Sequence, residues 1–354
     1  MLRGIPCAVV SKRPIISVLM PTLDSERTIE LCLASIRRQT LGADAVEILV
    51  ADGGSKDQTR AIARRFDATI LENERVLPEY GISVAMGAAK GAYATTMGSD
   101  EVIRNERAFA IKVRMLEENP RVHNVIPGGL RNPDNYPAIG NYVNYCGDPF
   151  SYFMHRIDAD DHWRSLSQRF EVVREDPDYR VVVIRKDQPL PICDGQFFRL
   201  EYLRTVADPN DYRIIPRLFE MLASRHRLLG VVRNDFIDHY STAGYRTAKA
   251  KIEWRVISNM HYGHEGSAGF ASREDAQPLS FRMKKYSFLP YSLSVVAPVL
   301  DAIALAVRTG KPAMLYHAPL AVQTGLSIVK HGVLKAMGIK PLRTAYGKEK
   351  QSPP

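Results

Sequence analysis

The chain has only four cysteines, Cys7, Cys32, Cys146 and Cys193, and no two of them are spaced like a paired zinc motif. So few cysteines also exclude a dense disulfide framework and favour a reducing compartment such as the cytosol. The first apolar run is followed by Pro-Thr-Leu-Asp, where a dinucleotide-binding domain has Gly-x-Gly-x-x-Gly, and there is no Gly-x-x-x-x-Gly-Lys-Ser/Thr loop. A bound nucleotide would therefore have to be held by another arrangement.

The sequence also lacks low-complexity tracts, internal repeats and a recognisable signal peptide. The apolar run from Ile5 to Val10 is too short for a signal peptide's apolar core and cleavage site. We therefore expect the first two-thirds of the chain to be cytosolic. Lys and Arg number 48 against 39 Asp and Glu, a net charge of +9. That balance permits anionic lipids, phosphorylated substrates or nucleic acid, and does not choose among them.

Strands and helices alternate along the first hundred residues, which predicts a parallel sheet with right-handed crossovers. The apolar runs are typical of strands buried on both faces. The predicted strands are Ile15–Met20, Val46–Ala51, Ala68–Leu71 and Tyr93–Met97, and the predicted helices are Thr28–Gln39, Asp57–Phe66 and Gly81–Lys90.

Polar residues follow three of these strands, at 21–24, 52–55 and 98–101. Ligands in open α/β sheets bind at the carboxyl ends of the strands, so we expect the three segments to converge. Asp100 and Glu101 would there suit Mg²⁺ or Mn²⁺ bound to a diphosphate. The alternative is a solvated turn with an acidic cap for the next helix.

Three segments in order resemble the family 2 glycosyltransferases of the GT-A fold. They are Ile16-Ser-Val-Leu-Met-Pro-Thr-Leu-Asp24, Leu49-Val-Ala-Asp-Gly-Gly-Ser-Lys-Asp-Gln-Thr59 and Ala88-Ala-Lys-Gly-Ala-Tyr93. The resemblance covers roughly residues 15–255. It implies an α/β GT-A domain over 1–255 with a mixed, mainly parallel central sheet, a nucleotide half at 15–104 and an acceptor half at 105–255.

The resemblance implies a site for a UDP- or GDP-sugar at the ends of the first strands. The residues at the matching positions are Pro21, Thr22, Asp24, Asp52, Gly53, Ser83 and Ser99. The family's Asp-x-Asp has Gly98 at its first position here, so Asp100 is the metal ligand that carries over, with Glu101 as a further candidate. Asp52 is also open to interpretation as a helix cap.

The acceptor half carries two further resemblances. Ile192–Arg199 looks like the family's glycine-containing acceptor strand, and Asn210-Asp211 resembles the Glu-Asp pair that opens a helix. The resemblance implies that Asp211 is the base that takes the acceptor's proton, with Asp194 as second choice. A helix N-terminus would keep such a carboxylate ionised, and the alternative is again an ordinary N-cap.

His239 begins a basic segment, His239 to Lys251. The family frequently has a His here, which implies a metal ligand or a contact to the leaving diphosphate. Arg246 and Lys249 are candidates for the diphosphate too. The same basic residues could equally face anionic lipid headgroups.

The insertion from Gly128 to Asp161 is rich in aromatic residues, proline and glycine. We expect it to cover the acceptor side of the site, the alternative being a separate hydrophobic cluster. Its Asp158-Ala-Asp-Asp161 segment resembles a metal-binding motif, but no strongly predicted strand precedes it.

Two apolar stretches, Phe288–Val307 and Ala313–Leu334, lie in the C-terminal region. Prolines and charges within them make true spans costly, and basic residues flank both. We expect region 256–340 to lie in the cytoplasmic leaflet with lysines at the headgroups, before a loose tail at 341–354. A two-span hairpin or a helical pair packed on protein are the alternatives.

Together these features predict an inverting, metal-assisted glycosyltransferase at the cytoplasmic face of the membrane, acting on a lipid-linked, polyprenyl-type saccharide acceptor in surface glycan or polysaccharide synthesis. Nucleic acid is not an expected partner. One alternative is a polyprenyl-phosphate sugar synthase, although its usual Asp-x-Asp-x-Gln is replaced by Asp100-Glu-Val-Ile-Arg. The other is a degenerate sugar-binding scaffold, since Gly98 and Asn210 depart from the family pattern.

Overall fold

A computed structural model describes residues 15–191, 195–208, 210–224, 226–263, 270–271 and 273–342. The strands are β1 (Ile16–Thr22), β2 (Val46–Asp52), β3 (Thr69–Glu72), β4 (Tyr93–Thr96), β5 (Glu101–Ile103), β6 (Asn124–Ile126), β7 (Gly129–Arg131), β8 (Glu171–Glu175), β9 (Tyr179–Val183), β10 (Phe197–Arg199), β11 (Leu228–Val232) and β12 (Phe236–His239).

The α-helices are α1 (Ile29–Arg37), α2 (Thr59–Arg65), α3 (Pro78–Ala88), α4 (Ala108–Glu118), α5 (Ile139–Cys146), α6 (Pro149–His155), α7 (His162–Arg169), α8 (Leu200–Val206), α9 (Leu218–Ser224), α10 (Tyr245–His261), α11 (Leu279–Lys284), α12 (Phe288–Leu293), α13 (Val296–Thr309) and α14 (His317–Ala336). Short 3₁₀ helices occur at Ala43–Ala45, Tyr212–Arg217, Glu274–Ala276, Lys285–Ser287 and Pro312–Tyr316.

The main sheet has nine strands in the order β3-β2-β1-β4-β10-β6-β11-β9-β8. The strands β3, β2, β1 and β4 are parallel, and β10 runs antiparallel between β4 and β6. The predicted α/β fold with a mixed sheet, parallel throughout its nucleotide half, is confirmed.

Strand β1 is apolar apart from Ser17 and its last residue, Thr22, because both of its faces are covered. Ile16, Val18 and Met20 pack in one hydrophobic cluster with the buried residues of α1. Leu19 points to the opposite face and packs in another cluster with residues of α3 and α8. Alternation along a strand sends successive side chains to opposite faces, so burial on both sides requires an unbroken apolar run.

A second, three-stranded sheet in the order β5-β12-β7 lies beyond the end of β4. Its antiparallel β5–β12 pair places Glu101 opposite His239. This pairing brings a segment near residue 100 together with one near residue 240, which no local sequence pattern announces.

The aromatic insertion packs on the C-terminal helices. Tyr142, Tyr145 and Tyr152 are buried in one hydrophobic cluster with residues of α10, α13 and α14, and Phe153 lies in another with Phe288. The expectation that these aromatic side chains cover the acceptor side of the site is therefore wrong for them, and the alternative of a separate cluster is what the structure shows. Large aromatic side chains gain more from full burial than from a half-open sugar platform.

The first apolar C-terminal stretch is not one helix, since α12 ends at Leu293 and α13 begins at Val296. Pro298 lies in the first turn of α13. Its ring would clash with the carbonyl of residue 294 if α12 and α13 formed one continuous helix. Within the described residues no single helix is long and apolar enough to cross a bilayer. The helical segments Leu279–Leu293 and Val296–Thr309 are bent by 95° relative to each other. Taken together, they are long and apolar enough to cross a bilayer by length and composition alone.

Candidate active site

Hydrogen bonds join the loops that follow β1, β2 and β4. The Thr22 hydroxyl donates to Ser25 Oγ at 2.9 Å, and the Ser99 hydroxyl donates to the same atom at 2.9 Å. The backbone N–H of Asp24 donates to Ser55 Oγ at 2.8 Å. The three polar segments that the sequence placed at strand ends therefore form one continuous surface.

Asp52 organises the loop after β2. Its carboxylate is fully buried and accepts hydrogen bonds from the N–H groups of Gly54 (3.1 Å) and Ser55 (2.9 Å), from the Ser55 hydroxyl (2.5 Å) and from Arg60 Nε (2.5 Å). Asp52 therefore closes this loop and does not cap α2, whose N-cap residue is Gln58, so the alternative of a helix cap is wrong. A contact of Asp52 with a nucleoside base stays a prediction, and it would require Ser55 to turn away.

The other predicted nucleoside residues surround this loop. Pro21 pairs with Ala51 in the sheet, and the N–H of Gly53 donates to the carbonyl of Thr22 at 2.9 Å. Asp24, at φ 46°, accepts from the N–H of Lys56 at 2.8 Å and is exposed. Ser83 is buried in α3, 3% exposed, which packs against β1 and β2.

The carboxylate of Asp100 lies close to the imidazole of His239. Asp100 Oδ2 is 3.7 Å from His239 Nε2, and the N–H of Tyr240 donates to the carbonyl of Asp100 at 2.8 Å. Asp100 is 37% exposed and His239 20%, so both side chains remain accessible to a ligand. Two predicted site residues that are 139 positions apart meet because β5 pairs with β12.

Glu101 points the other way, into the protein. It is 7% exposed, and its Oε2 accepts from the N–H of Gly98 at 3.0 Å. Burial, followed by the negative charges of Glu101 and Asp100, raises the pKa of the nearby Cys32 thiol well above its ordinary value. Glu101 therefore closes the turn after β4, and the structure does not direct it at the Asp100–His239 pair.

Gly98 makes room for Asp100. A Cβ atom at position 98 would lie 2.6 Å from Asp100 Oδ1, closer than real Cβ contacts come. An aspartate at 98 and the observed Asp100 conformation are thus mutually exclusive.

The residues present could supply only part of the ligand set that an octahedral divalent cation needs. Among the described residues, no three His, Cys, Asp or Glu side chains are grouped tightly enough to hold a metal ion alone. Mg²⁺ in phosphoryl and nucleotide sites commonly takes one or two protein ligands and completes its shell with phosphates and water. Asp100 and His239 supply such a pair, and His239 Nδ1 is buried without a hydrogen-bond partner.

Asp211 caps the 3₁₀ helix Tyr212–Arg217. Its Oδ1 accepts from the N–H of Arg213 at 3.0 Å, and the Arg213 guanidinium binds the carboxylate in a bidentate manner at 2.7 and 2.8 Å. The Arg213 hydrogen bonds lower the pKa of Asp211, so the carboxylate is ionised. Within the described part of the chain it has no contact with Asp100, Glu101 or His239. Asp194 lies outside the described residues.

Asp211 is nevertheless linked to the nucleotide half. Arg75, which follows β3, donates to the Tyr212 hydroxyl at 3.1 Å and lies over the Tyr212 ring at 4.9 Å. The neighbouring Val76 lies against Gly53, since its Cγ1 would be 3.2 Å from a Cβ there. The segment that follows β3 thus contacts the chain neighbours of both Asp52 and Asp211.

Residues 17–177 match the model of glycosyl transferase family 2. Over these residues, which are fewer than half of the chain, the sequence is similar to that family. A glycosyltransferase of Haloferax volcanii named AglE is 38% identical over 69 residues, which are 20% of this chain and 22% of that protein. A PGL/p-HBAD biosynthesis glycosyltransferase of Mycobacterium tuberculosis is 33% identical over 114 residues, 30% of this chain and 43% of that protein. These matches span less than half the length of either relative.

A solved structure shows the same fold across most of the chain. The mannosyltransferase PcManGT of Pyrobaculum calidifontis, in complex with GDP-Man and Mn²⁺, has a TM-score of 0.50 at 15% identity and covers 90% of this chain and 87% of its own. The chain therefore has the GT-A fold, as the sequence predicted.

Sequence reasoning missed several residues of the site. Arg60, Arg213 and Ser25 were not anticipated, although Arg60 lies only eight residues after Asp52, at the start of α2. Tyr136, from the insertion, also reaches this region, where its hydroxyl donates to the carbonyl of Tyr240 at 3.1 Å. Burial, with Asp100 and Tyr240 adding to it, raises the pKa of Tyr136.

The Asp158-Ala-Asp-Asp161 segment is occupied by ion pairs. Asp158 pairs with Arg308 at 3.0 Å, and Asp160 pairs with Lys311 at 3.2 Å. Asp161 caps α7. These aspartates tie the insertion to α13 and the segment after it, so the structure favours a structural role over metal binding.

Proposed function

We propose that this chain transfers a sugar, with inversion, from a nucleotide-diphosphate sugar to a saccharide carried on a lipid. The observation that carries the proposal is the Asp100–His239 pair, 3.7 Å apart beyond β4, in a chain whose residues 17–177 match the model of glycosyl transferase family 2. The loop after β1 is hydrogen-bonded both to Ser99, beside that pair, and to the loop after β2, and the nucleoside residues were predicted in these loops.

Asp100 and His239 would hold Mg²⁺ or Mn²⁺ together with the donor's diphosphate. A bound divalent cation neutralises the negative charge that develops on the leaving diphosphate. The solved mannosyltransferase holds Mn²⁺ with its GDP-Man, which supports this choice of cofactor and donor class. The chain's own residues orient the donor, and the backbone turn at Gly98 keeps the Asp100 carboxylate in place.

Proton removal from the acceptor hydroxyl requires an ionised carboxylate, and Asp211 is our candidate. Arg213 keeps Asp211 ionised and at the same time makes it a weaker proton acceptor. Catalytic contacts often tighten only when substrate binds, so acceptor binding would have to draw Asp211 away from Arg213.

A lipid-linked acceptor is supported by the surface of α13. Val296, Leu300, Ile303 and Val307 lie one or two turns apart on one face and are 65%, 62%, 49% and 79% exposed. A continuous apolar stripe of this kind is unusual on a surface facing only water. An amphipathic helix lying in the interface plane of a membrane has this arrangement.

A panel of UDP- and GDP-sugars with detergent-solubilised protein and Mn²⁺ tests the proposal. We expect release of nucleoside diphosphate with one donor, and proton NMR of the transferred product should show the anomeric configuration opposite to that of the donor. Retained configuration would contradict the inverting reaction. No release with any donor would favour the degenerate scaffold.

A further inference from the structure

The first two turns of α10 are unusually basic. Arg246, Lys249 and Lys251 lie there, and the first turn has no acidic residue. The positive end of the helix dipole favours acidic side chains, so cations at this end oppose local stability. Positions that break a local rule without compensation are expected at functional sites.

Two of these cations have no protein partner among the residues that the structure describes. Among the described Lys and Arg residues from 245 to 342, every other one has an ion pair, hydrogen bond or ring contact, whereas Arg246 and Lys249 have none. Two of the lysines predicted to lie at the lipid headgroups also have protein partners. Lys284 donates to the Met154 carbonyl at 2.9 Å, and Lys335 donates to the Met260 carbonyl at 2.8 Å.

Arg246 and Lys249 line a groove between α10 and α14 with a volume of about 490 Å³. Glu253 and Lys330 form part of its wall, and Ser327 and Leu326 of α14 complete the opposite side. The charges of Glu253 and Lys330 cancel at a distance of 2.7 Å, which leaves the groove with the two uncompensated cations.

Glu253 is already paired within this wall, so its charge does not neutralise Arg246 and Lys249. It accepts from the Ser327 hydroxyl and lies 2.8 Å from His331 Nε2. Burial alone would raise the pKa of Glu253, but its hydrogen bonds from Lys330, Ser327 and His331 hold that pKa at about 2. The Glu253 carboxylate therefore stays ionised over the whole physiological pH range.

The groove borders apolar surface. Leu326, which lines it, is 53% exposed, and Val329 and Val333 further along α14 are 41% and 55% exposed. A ligand with a phosphate group and an apolar chain would match both parts, since basic residues at a membrane surface attract anionic headgroups. The helix that carries the cations begins six residues after His239.

We propose that the groove between α10 and α14 binds the phosphate headgroup of a membrane lipid through Arg246 and Lys249. This inference rests on the proposed function only in taking the acceptor side to face a membrane. It assigns the two basic residues to a lipid phosphate, which the sequence left as an alternative to the donor diphosphate.

Vesicle co-sedimentation tests the assignment. Wild-type protein should bind phosphatidylcholine vesicles that contain phosphatidic acid more tightly than phosphatidylcholine alone. The double variant Arg246→Gln/Lys249→Gln should bind the anionic vesicles about 30-fold more weakly, because each basic residue at such a surface contributes about fivefold. The control Arg121→Gln/Lys186→Gln removes two exposed cations from the catalytic half and should bind like wild type.

Equal binding by the double variant and wild type would overturn the proposal, as would an equal loss in the control. Competition by inorganic phosphate at concentrations that leave ionic strength unchanged would show a site for soluble phosphate instead. Circular dichroism confirms that the variants are folded. Nucleoside diphosphate release, measured without lipid, is unaffected by failure of the groove, so that result and failure of the transferase proposal can be told apart.

Discussion

At the scale of single residues, the sequence predicted where the polar groups lie better than which way they point. Asp52 and Asp100 are at strand ends because apolar runs such as Ile16–Met20 and Val46–Ala51 identify buried strands directly. The inward turn of Glu101 and the Arg213 clamp on Asp211 depend on neighbours that only the folded chain brings close. Neighbouring carboxylates along a chain therefore need not share a role.

Replacement of Gly98 by alanine should lower activity. The added Cβ would lie 2.6 Å from Asp100 Oδ1, so the carboxylate must move from its place beside His239. We expect about a tenfold fall in nucleoside diphosphate release, since displacements of about 1 Å commonly cost this much or more. Gly244→Ala is the matched control, because a Cβ there meets nothing within 4 Å. Equal activity of the two variants would contradict the role given to Gly98.

Replacement of Arg213 by glutamine tests Asp211 as the base. Arg213 lowers the pKa of Asp211, so its removal should return that pKa towards the ordinary range for aspartate. The acidic limb of the pH profile of kcat/KM should then move to higher pH, because the base becomes protonated earlier. An acidic limb that stays where it is in the wild type would assign the proton transfer to another group.

At the scale of elements, composition alone did not reveal the interface between the insertion (Gly128–Asp161) and the C-terminal helices. This interface is called the seam below. His317 at the start of α14 lies 3.1 Å from the Tyr142 hydroxyl and 2.8 Å from the Tyr291 hydroxyl. The aromatic residues of the insertion were visible in the sequence, but their partners lie more than a hundred residues further along. A hydrophobic cluster of such distant residues has no local signature.

This seam should weaken in acid. Burial, only partly opposed by Asp301, lowers the pKa of His317 to about 4. The unfolded chain takes up a proton near pH 6.5 that the folded chain takes up only near pH 4, so stability falls as the pH drops through that window. The full loss is about 3 kcal/mol. Urea unfolding at about pH 7 and about pH 5 should show a smaller difference for His317→Gln, and an unchanged difference would refute the assignment.

At the scale of the whole molecule, the chain combines a GT-A fold with a C-terminal helical layer whose outer face is apolar. Of the large hydrophobic side chains that the structure exposes, most lie between 279 and 342. The sequence showed this region to be apolar, and it predicted its helices. The break at Val295 and the packing of these helices on the insertion determine which helix face is exposed. Both depend on tertiary contacts that the sequence pattern does not show.

The exposed stripe of α13 should drive membrane binding. Leu300→Glu/Ile303→Glu should weaken binding to phosphatidylcholine vesicles about 100-fold, because burial of two such side chains contributes about 3 kcal/mol. Val173→Glu, at a position 49% exposed on β8, is the control. Both proteins should release nucleoside diphosphate in detergent at the wild-type rate. Full vesicle binding by the double variant would remove the support for a membrane-held acceptor.

The account depends most on Asp100 as a ligand of the metal and the donor diphosphate. Mn²⁺-dependent release of nucleoside diphosphate, compared between wild type, Asp100→Asn and the exposed control Asp134→Asn, tests that role most directly. We expect Asp100→Asn to lose about 100-fold or more, since the charge it supplies acts on the leaving group, and Asp134→Asn to match wild type. Equal rates for wild type and Asp100→Asn would contradict the central claim.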